Sequence, residues 1–174
     1  MEEIESGTTI TLNDVWGYHN NETGSTTVLT VASELMSASE HRLFTLSGDE
    51  AKDTLDYPYN KRLRNVWFKN NYSPIYVSGT DVMKYYRGKW ELFDLWDWEI
   101  LSMSGSNVND IVVIDAEGGF SHYNGLEWGK DESLIGQYGF ESITIKDNMV
   151  VIVGTVLKGS IASEAAIVVG KRTN

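Results

Sequence analysis

The stretch Phe120-Ser121-His122-Tyr123-Asn124-Gly125-Leu126-Glu127-Trp128 decides the fold, because a second copy of its pattern stands at Tyr85-Tyr86-Arg87-Gly88-Lys89-Trp90. Both read as Tyr, a polar residue and Gly, then Trp after one or two intervening residues. Glycine supplies the positive φ of a tight hairpin turn, and Asn124-Gly125 is a strong turn dipeptide. Tyr and Trp on either side are strand formers, so each copy predicts a β-hairpin.

Two further elements accompany these hairpins. Leu12-Asn13-Asp14-Val15-Trp16-Gly17 resembles Leu63-Arg64-Asn65-Val66-Trp67-Phe68, each a short strand with large residues at alternate positions. The runs Ile75–Gly79, Ile111–Asp115 and Val150–Gly154, and more loosely Val28–Ser33, are apolar strands ending in a small or polar residue. Near-continuous β-branched runs predict burial on both faces. Aligning them at Val31, Val77, Val113 and Ile152 gives spacings of 46, 36 and 39 residues, close to the ~40–45 of a four-stranded propeller blade.

The chain therefore reads as one all-β domain over residues 1–174, a β-propeller of about four blades of antiparallel strands. The repeats run over 13–62, 63–96, 97–134 and 135–174, the last completed by residues 2–12. The first repeat is enlarged by an insertion, with a helical turn over Leu35–Glu40, before strand character returns at Arg42–Leu46. The last repeat lacks an outer strand, and the spare N-terminal segment is expected to close it, removing an exposed edge.

With Gly7-Thr8-Thr9, the strand Leu12–Gly17, Asn109-Asp110-Ile111-Val112-Val113, the hairpin Phe120–Trp128 and the closing Ala166–Arg172, the chain resembles a family of bacterial extracellular propeller proteins, many of them lipoproteins of unknown role. Such proteins are usually longer, and the match is to their C-terminal repeats. The resemblance implies a propeller at the cell surface. Some of those proteins are labelled glucosyltransferase, but no glycosyltransferase motif is visible in this chain. The turns at Gly88 and Gly125 also lack the leading Ser and Asp of the sialidase-type Asp-box.

Composition narrows the function classes. A formal charge of −11 argues against nucleic acid, which needs a basic face. It reads as a solvated acidic surface. The absence of Cys removes disulfides, thiolate metal sites and Cys nucleophiles. Met1-Glu2-Glu3-Ile4-Glu5 has no apolar signal core, and the longest apolar run, Met149–Val153, is too short to span a bilayer. No membrane insertion is expected, and the compartment stays open.

No catalytic set, metal site or cofactor motif emerges. His19, His41 and His122 form no metal spacing. Asp115-Ala116-Glu117-Gly118-Gly119 departs from the calcium-loop pattern and reads as a hairpin turn. The basic cluster Lys61, Arg62 and Arg64 reads as a solvated connection. The richest mixture of acid and aromatic residues is Asp94, Trp96, Asp97, Trp98 and Glu99. Sugar clefts combine these types, because aromatic faces stack on rings and carboxylates bind hydroxyls. Strand alternation instead puts Trp96 and Trp98 on one packing face and Asp97 on the other. The leading expectation is a non-catalytic binding or scaffold propeller, a monomer or strand-exchanged homodimer, with a protein or glycan partner. The alternatives are a carbohydrate-binding or carbohydrate-active protein using residues 94–99, and a structural fragment of a longer surface protein.

Overall fold

The computed structural model describes residues 6, 8–34, 41–47, 50–159 and 161–171. They form fifteen strands and no helix, in four antiparallel sheets. The first sheet holds β1 (Leu12–His19), β2 (Thr26–Ser33), β3 (His41–Ser47) and β4 (Glu50–Leu55). The second holds β5 (Leu63–Phe68), β6 (Ile75–Gly79), β7 (Asp81–Tyr86) and β8 (Lys89–Leu95). The third holds β9 (Ile100–Asn107), β10 (Asp110–Asp115), β11 (Phe120–Tyr123) and β12 (Trp128–Asp131). The fourth holds β13 (Tyr138–Lys146), β14 (Met149–Lys158) and β15 (Ile161–Lys171). Within every sheet the strands lie in chain order, so each is a meander built from hairpins.

The hairpin glycines do what the sequence demands of them. Gly88 joins β7 to β8 at φ 80° and Gly125 joins β11 to β12 at φ 96°, backbone that a side chain rarely tolerates. The β-branched runs of β2, β6 and β10 become buried second strands, with Val77, Val112 and Val113 fully enclosed, whereas in β14 Val153 is exposed, so the expected burial on both faces does not hold for Val150–Gly154.

The chain divides into two compact units, residues 1–95 and 96–174. In the first unit Leu29, Val31 and Leu43 from one sheet pack with Val66, Phe68, Val77 and Met83 from the next. Trp67 is buried in this unit, 6.5 Å from Trp16 and 6.0 Å from Tyr76 between ring centres. In the second unit Val112 and Ile114 pack with Phe140, Ile143, Ile145 and Ile152. Burying any one of these side chains contributes roughly 1.5–3 kcal/mol.

The expected placement of the N-terminal segment changes. Leu12 pairs with Ala32 in the first sheet, and Ile10 packs on Ala32 and Phe44. The C-terminal end of segment 2–12 thus belongs to the first sheet rather than the last, because its apolar residues find their cover there. The last sheet has three strands among the described residues. The remainder of the closing segment, residues 2–5 and 7, and the turn expected over 35–40 lie outside the described residues.

Candidate functional site

The acid-aromatic segment forms no strand. Residues 96–99 make a bend between β8 and β9, so the expected alternation of Trp96, Asp97 and Trp98 across a sheet does not arise. The bend is tied down where the Ala116 N–H donates to the Glu99 carbonyl at 2.9 Å. Trp96 meets Trp128 edge to face, with ring centres 4.9 Å apart, and the Lys130 ammonium lies 4.8 Å from the centre of its ring. Trp128 in turn leans on Tyr123, ring centres 5.4 Å apart. Thus two aromatic residues of the repeated hairpin pattern position Trp96. Trp98 has no such cover and is 52% exposed.

Opposite stands the turn after β10. The Asp115 Oδ1 accepts the N–H groups of Glu117 at 3.0 Å and Gly119 at 2.8 Å. Local chemistry requires both glycines. A Cβ on Gly118 would stand 2.8 Å from the Tyr138 carbonyl oxygen at φ 85°, and one on Gly119 would stand 2.5 Å from the Asp115 carboxylate. This turn and the bend border a cavity of about 80 Å³ whose lining includes Trp96, Asp97, Trp98, Asp115, Lys130 and Asp131. The Ser133 hydroxyl and N–H hold the Asp131 carboxyl below the usual carboxylate range. Asp131 is therefore an anionic acceptor at neutral pH.

Of the five residues singled out in the sequence, the cavity gathers Trp96, Asp97 and Trp98. Asp94 lies on β8 opposite Val82, in the first unit, and neither it nor Glu99 lines the cavity. Sequence reasoning missed Asp115, Lys130 and Asp131 as neighbours of this segment. The signal available was the repeated hairpin, whose second strand continues from Trp128 into Gly129-Lys130-Asp131.

The other polar clusters have structural partners. His122 Nε2 lies 2.8 Å from Asp110 Oδ1, and the Ser106 hydroxyl donates to the other oxygen of that carboxylate. The carboxylate stands between the two, so the histidine is not placed to take the serine's proton. His19 bonds Thr26 at 2.8 Å and His41 bonds the Tyr57 carbonyl at 3.0 Å. Lys61, from the basic cluster, pairs with Asp81. Among the described residues no group of three His, Cys, Asp or Glu side chains is placed to hold a metal ion.

No family model matches the chain, and no curated protein is similar to it. Solved structures are, two computationally designed proteins among them. The computationally designed Ika4 protein matches with a TM-score of 0.60 and 16% identity over 97% of this chain and 95% of that one. The computationally designed Ika8 protein matches with a TM-score of 0.53 and 14% identity over 92% of this chain, which spans 55% of the Ika8 chain. At these identities the likeness is one of fold alone.

Proposed function

We propose that this chain is a non-catalytic binding module, its sheets the blades of a β-propeller, and that it holds a carbohydrate at the cavity beside Trp98. The meander order of every sheet supports the blade reading. The observation that carries the ligand class is the exposed Trp98 indole at the rim of a cavity lined by Asp97 and Asp131. An indole face gives a sugar ring a flat apolar seat. Ionised carboxylates take the hydroxyl protons in charge-assisted hydrogen bonds.

Size sets the expected strength. A cavity of about 80 Å³ is well below the ~300–1,000 Å³ of pockets that enclose a drug-sized ligand. It suits one ring edge of a longer glycan, with affinity near the millimolar range, about −4 kcal/mol. The carboxylates of Asp131 and Asp115 support binding without turnover. A glycosidase acid needs a raised pKa, whereas Asp131 is shifted down and Asp115 is occupied by its own turn.

The test is titration of the protein with a panel of soluble oligosaccharides, following NMR amide and indole signals. Saturable shifts at Trp98 and its neighbours, lost in Trp98→Ala while the rest of the spectrum is unchanged, are expected. No shift with any glycan at 10-fold the ~1 mM expected affinity, or shifts that survive Trp98→Ala, overturn the reading.

A further inference from the structure

Inside the second unit the third and fourth sheets lie face to face, and their outer strands leave a cleft. Cross-strand partners share a face, so the rows Ser104–Val112–His122 and Ser102–Ile114–Phe120–Asp131 of one sheet belong to one face. The rows Ile145–Val150–Gly170 and Ile143–Ile152–Val168 form the facing side of the other. Near the first strands the sheets touch, where Ser102 and Ser104 accept the Ile143 and Ile145 amides. Farther out a cavity of about 260 Å³ remains, walled by Phe120, Leu134, Val150, Ile152 and Val168. Gly170 also lines it and keeps it open, since a Cβ added there would meet nothing nearer than the Val150 Cβ at 4.0 Å.

Three polar side chains line the same cleft, and each differs in kind. Asp131 stands on β12 and Lys171 on β15, so opposite charges are carried by opposite walls. They are not paired with each other, and neither has an ion-pair partner among the described residues. His122 is held through Nε2, 2.8 Å from the Asp110 carboxylate. Its Nδ1 is then an acceptor in the neutral ring, and has no hydrogen-bond partner among the described residues.

We infer that this cleft binds a free α-amino acid with an apolar side chain, the side chain between the sheets, the ammonium on Asp131 and His122, and the carboxylate on Lys171. Size fits. An apolar cavity of ~150 Å³ already holds benzene, so about 260 Å³ takes one ring or branched chain together with its polar head. Charge selects the head. A cation alone would meet Lys171, an anion alone would meet Asp131, and a purely apolar guest would match neither. A zwitterion gives each wall a charge-assisted hydrogen bond, and its ammonium has donors enough for a carboxylate and an imidazole together. The Ser133 N–H donates to Asp131 Oδ1 at 2.9 Å, which orients the carboxylate and leaves it further acceptor sites. The inference does not rest on the glycan reading. The cavity beside Trp98 shares Phe120 and Asp131 with this cleft, but Val150, Val168 and Gly170 line the cleft and not that cavity.

The test is NMR titration with L-phenylalanine and L-leucine, following the methyl groups of Val150, Ile152 and Val168. N-acetyl-L-phenylalanine and L-phenylalaninamide are titrated beside them. Saturable shifts are expected with the free amino acids, and each blocked form should bind about 10-fold more weakly, the worth of one charge-assisted hydrogen bond. Gly170→Val fills the cleft and should abolish the shifts. Lys171→Met should weaken phenylalanine about 10-fold and leave phenylalaninamide unchanged, because the amide has no carboxylate to lose. Both positions are exposed on β15, and unchanged amide signals away from the cleft show that each variant keeps its fold. No saturable shift with either free amino acid up to its solubility overturns the inference. So do shifts that survive Gly170→Val, or blocked forms that bind as tightly as the free ones, which would mark an apolar cleft indifferent to the zwitterion.

Discussion

The two units join their sheets in the same place with different chemistry. In each, alternate side chains on the first strand of one sheet reach the backbone of the first strand of the next. In the first unit the Asp14 carboxylate accepts the Val66 N–H at 3.0 Å, and the Trp16 indole donates to the Phe68 carbonyl at 2.7 Å. Asn13 and Ser33 both donate to the Leu63 carbonyl, at 2.7 and 2.8 Å. In the second unit the Ser102 and Ser104 hydroxyls accept the N–H groups of Ile143 at 3.2 Å and Ile145 at 3.3 Å. The backbone at both seams is buried and must be satisfied. One seam meets that need with a carboxylate, an indole, an amide and a hydroxyl, the other with two hydroxyls alone. The requirement is geometric, and the residue types that fulfil it are free to differ.

Removing Asp14 should give the largest effect. Asp14→Ala leaves the Val66 amide, on a residue that is fully buried, without its acceptor, at a cost of roughly 1–3 kcal/mol. Urea denaturation should show the loss as a lower midpoint, and amide exchange should quicken at Val66 before it quickens at Ile143 or Ile145. Equal acceleration in both units would mean that the Asp14 contact has no local role at the first seam.

This seam also marks the limit of what the sequence discloses. The hairpins at Gly88 and Gly125 are legible because a positive φ needs glycine, and the second strands because a β-branched run needs burial on both faces. The likeness of Leu12–Gly17 to Leu63–Phe68 signals matching first strands. It does not disclose that Asp14 and Trp16 bond across to the second of them, since that contact joins residues 52 positions apart. The serines at 102 and 104 give still less sign, because a hydroxyl in a strand usually reads as a surface group. At the candidate site, composition leads to Trp96, Asp97 and Trp98. The bend that breaks their alternation depends on the Ala116–Glu99 bond and the Trp128 contact, both made by residues outside the segment.

The second unit should respond more weakly. Ser104→Ala removes a neutral acceptor from Ile145, and the net worth of such a bond is about 0.5–1.5 kcal/mol. Ser102→Ala, at the less buried of the two positions, should fall at the lower end. Their double variant should be nearly additive if each hydroxyl serves only its own amide. An interaction energy above ~0.5 kcal/mol would mean that the two bonds form one unit.

The smallest expected effect separates the seams by pH. Burial pushes the Asp14 carboxyl above its ordinary value, against the opposing bonds from Val66 and Val15. A carboxyl whose folded pKa is raised binds its proton more tightly in the folded state than in the unfolded one. Between the two values the folded chain holds more protons, so stability from this group falls as pH rises. Its contribution is fully present below the unfolded value and lost above the folded one. The serine seam has no such group, and Asp14→Asn removes it from the first seam while keeping an acceptor oxygen for Val66. The difference in unfolding free energy, wild type minus Asp14→Asn, should therefore decline on going from acid pH through the raised carboxyl range and then level off toward neutrality. The same difference for Ser104→Ala should stay flat over that span. A wild-type advantage over Asp14→Asn that grew with pH would reverse the sign, and would mean that the hydrogen bonds to the charged carboxylate outweigh the cost of burying it.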